Sequence, residues 1–311
     1  MSGTPLEPIL HSVSYAGAWH GQARLSIEAF LVKASSLGYS GVMLMAKRPH
    51  LSVLDYDADD LKRVRALLDR LSLRCPVLAG YTNFSADAEH PEVPQREIQI
   101  AHVTDLARMA QALGANVVRI FTAYEHSRLG HAALLPVLAD TLRECARRAS
   151  DFGVTIGVQN HHDCGVHYAT LLDLLEEVNE PNCKACFDAW APALQGEDYV
   201  NAARIMAPYT CHTTVADYQL RPRYRYDNTL VNYESQTPYV QAVPMGDGFI
   251  DYRGFFDALR EGGYAGGVAY EMCSPLKGGG AEENLDRYAA RFIEFMSGES
   301  MSKQAPARTI E

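Results

Sequence analysis

Four polar residues stand in short apolar runs late in the chain. Gln159 closes VTIGVQ, Asp188 closes ACFD, His212 lies within TCHTTV, and Glu271 closes GVAYE. Short apolar runs flanked by turn residues read as buried strands, and strand ends that converge are where barrel and open-sheet enzymes keep their chemistry. Two carboxylates, an imidazole and an amide oxygen form an oxygen-rich donor set. It suits Mn2+ first, with Mg2+, Co2+ or Zn2+ as alternatives, better than it suits a thiolate-seeking ion. Such a cation beside a sugar would polarise a carbonyl and stabilise an enediolate, while a nearby carboxylate or imidazole moves the α-proton. Each residue also has a structural reading: an ion pair for Glu271, a helix cap for Asp188, a satisfied core imidazole for His212. Gln159 is uncharged and a weak ligand. Their weight lies in the grouping.

The elements that must position these residues follow a repeated pattern. An amphipathic stretch ends near a glycine and an apolar run follows. Ser26 can cap IEAFLVKASSL, which stops at Gly38 before GVMLM; Asp57 or Asp59 can open DLKRVRALLDRLSL before CPVLAGY. A helix ending at Gly114 precedes NVVRIFTAY, and another ending at Gly153 precedes VTIGVQN. Further pairs lead to KACFD, YTCHTTV and GGVAYE, and ENLDRYAARFIEFM closes the series. With ILHSVSY at the start, eight strands alternate with eight helices. That alternation demands parallel strands with right-handed crossovers and predicts a single α/β (β/α)8 barrel over residues 1–296, with 297–311 a polar, flexible tail. An open doubly wound sheet is the alternative, but no GxGxxG turn follows the first strand. Residues 218–250 separate the seventh strand from the next helix and are expected to form a long functional loop carrying Arg221, Arg223 and Arg225.

Bulk properties narrow the function classes. The 311 residues are 47% hydrophobic, enough for one large core, and carry a formal net charge of −10. An acidic surface disfavours a nucleic-acid partner. No apolar run approaches the roughly 18 residues of a membrane span, and MSGTPLEPIL lacks the basic-then-apolar pattern of a leader. The expectation is a cytoplasmic protein that works away from membranes on a small carbohydrate, with a homo-oligomer open. Among seven cysteines one CxxC occurs, Cys183 to Cys186, inside a strand that would point the two thiols apart. Reduced, buried thiols are the expected state.

Taken together, IGVQNHHD, CFDAWAP, the seventh strand ending in Asp217, MGDGFIDYRGFFDAL and GYAGGVAYEMCSPLKGGGAEENLD resemble the xylose-isomerase-like barrels. That family includes sugar-phosphate isomerases and epimerases, ketose 3-epimerases, inosose dehydratases and endonuclease IV. The resemblance spans most of the chain. It implies a metal held by Glu, Asp, His and Glu on strands five to eight, which falls on Gln159, Asp188, His212 and Glu271. Two departures follow. Gln159 replaces a glutamate that serves as one of two acid–base groups. Aligning Asp217 with the family aspartate of the seventh strand puts Thr214 at the ligand position, with His212 two residues earlier on the same face.

The resemblance therefore implies an isomerase or epimerase acting on a keto-sugar, sugar acid or cyclitol, with Glu271 as base. Since an amide carries no proton near neutral pH, His161 or His162, or a water, is expected to replace the lost group. Within a strand Gln159 and His161 would share one face, Asn160 and His162 the other. Lys47, His161 and Arg221 are expected near the substrate; His162 and Trp190 are further contacts, Trp190 stacking on a sugar face. A dehydratase or lyase through the same intermediate is the nearest alternative. A non-catalytic sugar-binding barrel comes next. An endonuclease IV-like enzyme fits less well, because the histidine of its Asp-x-x-His on strand six falls on Ala191.

Overall fold

The computed structural model describes residues 6–88, 90–161 and 164–298. The strands in chain order are β1 (Glu7–His11), β2 (Gly41–Met45), β3 (Arg74–Ala79), β4 (Val117–Ile120), β5 (Thr155–Gln159), β6 (Cys183–Cys186), β7 (Thr210–Val215), β8 (Asp217–Asp227), β9 (Asn232–Val243) and β10 (Gly267–Tyr270). Eight of them close a parallel barrel in the order β1-β10-β7-β6-β5-β4-β3-β2. The helices are α1 (Ile27–Ser36), α2 (Ala58–Arg70), α3 (Gln95–Leu113), α4 (His131–Ser150), α5 (Tyr168–Val178), α6 (Trp190–Gln195), α7 (Tyr199–Met206), α8 (Tyr252–Glu261) and α9 (Glu282–Ser297). The (β/α)8 barrel expected from the alternation is the observed fold.

Local chemistry sets the helix ends. The Ser26 hydroxyl accepts the Ala29 N–H at 3.2 Å at the start of α1. Asp57 and Asp60 form a reciprocal capping box at the start of α2. Gly114, at φ +76°, ends α3 in the left-handed conformation. Alternation along the strands then makes two cores. Leu10, Val42, Leu78 and Val118 face outward to the helices, in one large cluster with Phe30, Leu106 and Phe292. Ile9, Met43, Val77, Val117, Cys186 and Ala269 fill the barrel interior. Gly157 makes room there: a Cβ at that position would lie 2.4 Å from the Cys186 sulfur. Cys183 belongs to the outer core and Cys186 to the inner one, so this CxxC pair faces opposite sides of its strand.

The segment expected to be a long loop is instead an antiparallel ribbon. Strands β8 and β9 pair from Asp217↔Val243 to Asp227↔Asn232, with a shift in register around Pro222, which has no N–H to donate. The ribbon buries no apolar face along most of its length. Leu220, Tyr224, Tyr226 and Tyr233 are all exposed. The half-buried alternation that marks a strand in sequence is therefore missing. Among the described residues no helix is long and apolar enough to cross a membrane.

Candidate active site at the barrel mouth

Strand register decides which polar side chains meet. Cys186 on β6 pairs with His212 on β7, so Asp188, two residues further along, is level with Thr214 and not with His212. Asp188 is buried, and its Oδ1 accepts the Thr214 backbone N–H at 2.7 Å. Its Oδ2 accepts from the Thr214 hydroxyl and from the Gln159 amide. Gln159 Nε2 also reaches the Thr214 hydroxyl at 2.9 Å, while Gln159 Oε1 has no partner. Burial raises the Asp188 carboxyl above its ordinary range; Thr214, Gln159 and Arg119 pull it part of the way back.

Glu271 follows β10, its backbone N–H bonded to Val215 O at 3.0 Å. Glu271 is half-buried, and its accessible surface lines a half-open cavity. Burial first, and then the charge of Asp188, push its carboxyl up to about 7. The Cys273 thiol lies 3.6 Å from Glu271 Oε1. The cavity, about 510 Å³, is lined by His161, Trp190, Tyr218, Tyr239, Gln241 and Glu271, with Cys273, Ser274 and Pro275 on one side. Ring contacts run around its wall: Phe121 to His161 at 5.1 Å, His161 to Trp190 at 6.0 Å, and Trp190 to Tyr218 at 5.4 Å. A ribbon-borne wall of Tyr239, Val240 and Gln241 completes it.

The structure joins Gln159 to Asp188 by a hydrogen bond and sets Glu271 within reach of the Asp188 charge, with His161 and Trp190 in the cavity wall. Strand β5 ends at Gln159, so the strict alternation of faces expected beyond it does not apply. Asn160 clasps the backbone of Asp188, accepting its N–H at 2.7 Å and donating to its carbonyl at 2.9 Å. His161 turns into the cavity. His162 lies outside the described residues.

His212 departs from the expectation. It points into the barrel one layer below Thr214, buried, with Nε2 unpartnered, and burial pushes its imidazole down to about 3. Among the described residues no three or more His, Cys, Asp or Glu side chains are grouped to hold a metal, so His212 does not join Asp188 and Glu271 in such a group. Arg221 is committed to Gln219 and to Gln241, at 3.3 Å from the latter, and is not among the residues lining the cavity. Lys47 places its ammonium 3.9 Å over the Tyr81 ring, and burial followed by the charge of Arg119 lowers its basicity. Phe84 and His50 are buried and do not line the cavity, His50 lying between Ser12 Oγ and Leu25 O. Asp217, expected only as an alignment point, clamps the return of the ribbon: its carboxylate accepts the N–H groups of Tyr218, Gly246 and Gly248.

Sequence reasoning missed Arg119, a guanidinium only 2% exposed inside the barrel. The signal was available, because an arginine in the middle of VVRIF cannot face the apolar outer core.

A model of the xylose isomerase-like TIM barrel matches residues 31–294. The chain belongs to that family. Among curated proteins none matches the chain. Several solved structures share the fold of this family member. The probable 3-DHS dehydratase AsbF of Bacillus anthracis, involved in petrobactin synthesis, is 16% identical with a TM-score of 0.71, over 95% of this chain and 100% of that one. The IOLI protein, solved with a zinc atom, is 15% identical with a TM-score of 0.72, over 96% and 100%. The D-allulose 3-epimerase of Methylomonas sp., in complex with D-allulose, is 16% identical with a TM-score of 0.70, over 96% and 99%.

Proposed function

We propose that this family member moves a proton next to the carbonyl of a small carbohydrate, as an isomerase or epimerase of a keto-sugar, sugar acid or cyclitol, with Glu271 as the general base. The observation that carries this reading is one carboxylate, Glu271, on the surface of an aromatic-walled cavity, backed by a second, Asp188, held rigid by Thr214 and Gln159. A base so placed is partly desolvated, which brings its basicity toward neutral pH, where proton abstraction is most effective. His161 stands in the same cavity and is the second proton carrier; Gln159, an amide, cannot be one. Trp190 and Tyr218 offer ring faces to the apolar side of a sugar. That a structural neighbour was solved with D-allulose agrees with a carbohydrate of this size.

The donors also bear on a metal. Asp188 and Glu271 supply charge, and the orphaned Gln159 Oε1 supplies a lone pair without a donor. Thr214 occupies the position that His212 was expected to fill. The set that fits a cation is therefore Asp188, Glu271, Gln159 and the Thr214 hydroxyl, all oxygen, which suits a hard ion such as Mn2+ or Mg2+. A bound divalent cation would supply polarisation of the substrate carbonyl. The zinc of the neighbouring IOLI structure agrees with a divalent ion in this fold.

A dehydratase is the second reading, and Gln159 favours it. Elimination from a carbonyl-stabilised intermediate needs no second base on the opposite face, so it tolerates the loss of one carboxylate. Solvent deuterium exchange at the substrate α-carbon, over a panel of keto-sugars, sugar acids and inososes, tests both readings. Exchange with retained carbon skeleton and hydroxyls supports epimerisation; exchange with loss of water supports elimination. No exchange with any member, by protein loaded with Mn2+, would remove both.

A further inference from the structure

Arg119 is a buried cation whose charge acts on Asp188 and Glu271 from beyond ion-pair distance. Its guanidinium donates to Gly80 O at 3.1 Å, and its Nε–H has no partner. Its Nη2 lies 3.5 Å from His11 Nε2, but the other nitrogen of that ring, Nδ1, accepts the Val13 N–H at 3.2 Å. A neutral imidazole that accepts at Nδ1 carries its hydrogen on Nε2, so it offers Arg119 a second N–H and no lone pair. Among the described residues no carboxylate lies within ion-pair distance of Arg119. A buried guanidinium with an unpartnered N–H is costly to hold, and an anion bonded to it would offset that cost.

Its position points the same way. His11 ends β1, Gly80 and Tyr81 follow β3, and Phe121 follows β4, so these partners of the guanidinium stand at the C-terminal ends of their strands. Arg119 and Lys47 do not line the Glu271 cavity, and Phe121, 5.1 Å from the cavity-lining His161, links the two. Tyr81 and Phe121 flank it at 4.9 and 4.4 Å, and Lys47 stands over Tyr81 at 3.9 Å. The mouth is thus divided by charge. Lys47 and Arg119 stand on the β2–β4 side, Asp188 and Glu271 on the β6–β10 side.

We propose that Arg119, with Lys47 beside it, is the subsite for a carboxylate on the substrate. This narrows the proposed carbohydrate to a sugar acid and rests on that reading of the mouth as the substrate site. A planar fork matches a planar carboxylate in two parallel hydrogen bonds. A phosphate ester is disfavoured, because its second negative charge would add repulsion from Asp188 and Glu271.

The test is equilibrium binding, read by fluorescence of Trp190 in the cavity wall, at constant ionic strength. The probes are 2-keto-D-gluconate, its neutral amide, D-fructose and D-fructose 6-phosphate. Wild-type protein should bind the acid at least tenfold more tightly than the amide or D-fructose, and more tightly than the phosphate. Arg119→Met should remove that preference, and Arg119→Lys should retain part of it. The comparison of acid with amide on wild-type protein needs no variant, so misfolding of Arg119→Met leaves the test intact. Equal affinity for acid and amide, or an undiminished preference in folded Arg119→Met, would overturn the subsite. Stronger binding of the phosphate would overturn the choice of carboxylate. Binding preference without any proton exchange would sink the catalytic reading alone.

Discussion

Glu271→Gln keeps the length of the side chain and removes its ability to accept a proton. It is expected to lower α-proton exchange by about 100-fold or more, with substrate affinity changed little. Exchange at the wild-type rate would place the base elsewhere. The metal assignment separates two histidine-free carboxylates from one misplaced imidazole. Asp188→Ala and Glu271→Ala should each lose bound Mn2+ in elemental analysis, whereas His212→Gln, one layer below, should keep it. Gln159→Glu turns an amide oxygen into a charged one beside Asp188. Without a cation the two carboxylates would repel; with one they would share it. Retention of Mn2+ against a chelator should therefore rise in this variant, and unchanged retention would argue that Gln159 does not touch the ion.

The β8–β9 ribbon supplies one wall of the cavity, yet a two-stranded ribbon is only marginally stable by itself. Its base is held by Asp217, whose Oδ2 accepts from Gly246 and Gly248 at 2.9 and 2.8 Å. Gly248 is needed for that approach, since a Cβ there would fall 1.8 Å from Asp217 Oδ1. Asp217→Ala strands these N–H groups and should cost on the order of 2–3 kcal/mol. Gly248→Ala should be at least as damaging, by pushing the carboxylate out of its clamp. Both should speed proteolytic cutting in the ribbon and raise KM more than they lower kcat. Wild-type cutting rates in both variants would show that the ribbon is held by other contacts.

At the scale of the whole molecule, His212 links stability to pH. Its folded pKa, about 3, lies below the ordinary 6.5, so between those values the unfolded chain binds a proton that the fold refuses. Stability from this group is full above pH 6.5 and is lost as pH falls toward 3, by up to about 1.4 kcal/mol per unit. Asp217, raised to about 6, acts in the opposite sense, because its folded form holds a proton more readily than the unfolded chain. That contribution is common to wild type and His212→Gln and cancels between them. Urea unfolding at pH 7 and 4.5 should therefore show wild type losing stability on acidification more steeply than His212→Gln. Parallel losses would mean that the imidazole titrates normally in the fold.

The barrel was legible in the sequence because its evidence is local and repeated. Ser26, Asp57 and Gly114 mark helix ends by their own hydrogen bonding or backbone conformation, and each apolar run between them is too short and too well flanked for anything but a strand. Gln159, Asp188 and Glu271 were legible for the same reason: a polar group that closes a buried strand faces the mouth. Three things depended on contacts between distant segments. The spacing to Asp217 had put Thr214 beside His212 as a candidate, and only the shifted register of β6 against β7 chose Thr214 for the level of Asp188. The ribbon was hidden because strands wetted on most of both faces leave no apolar alternation to read. Arg119 carries its meaning only through what surrounds it, since whether a buried guanidinium is paired is settled by side chains from β1, β3 and β4 that meet only when the barrel closes.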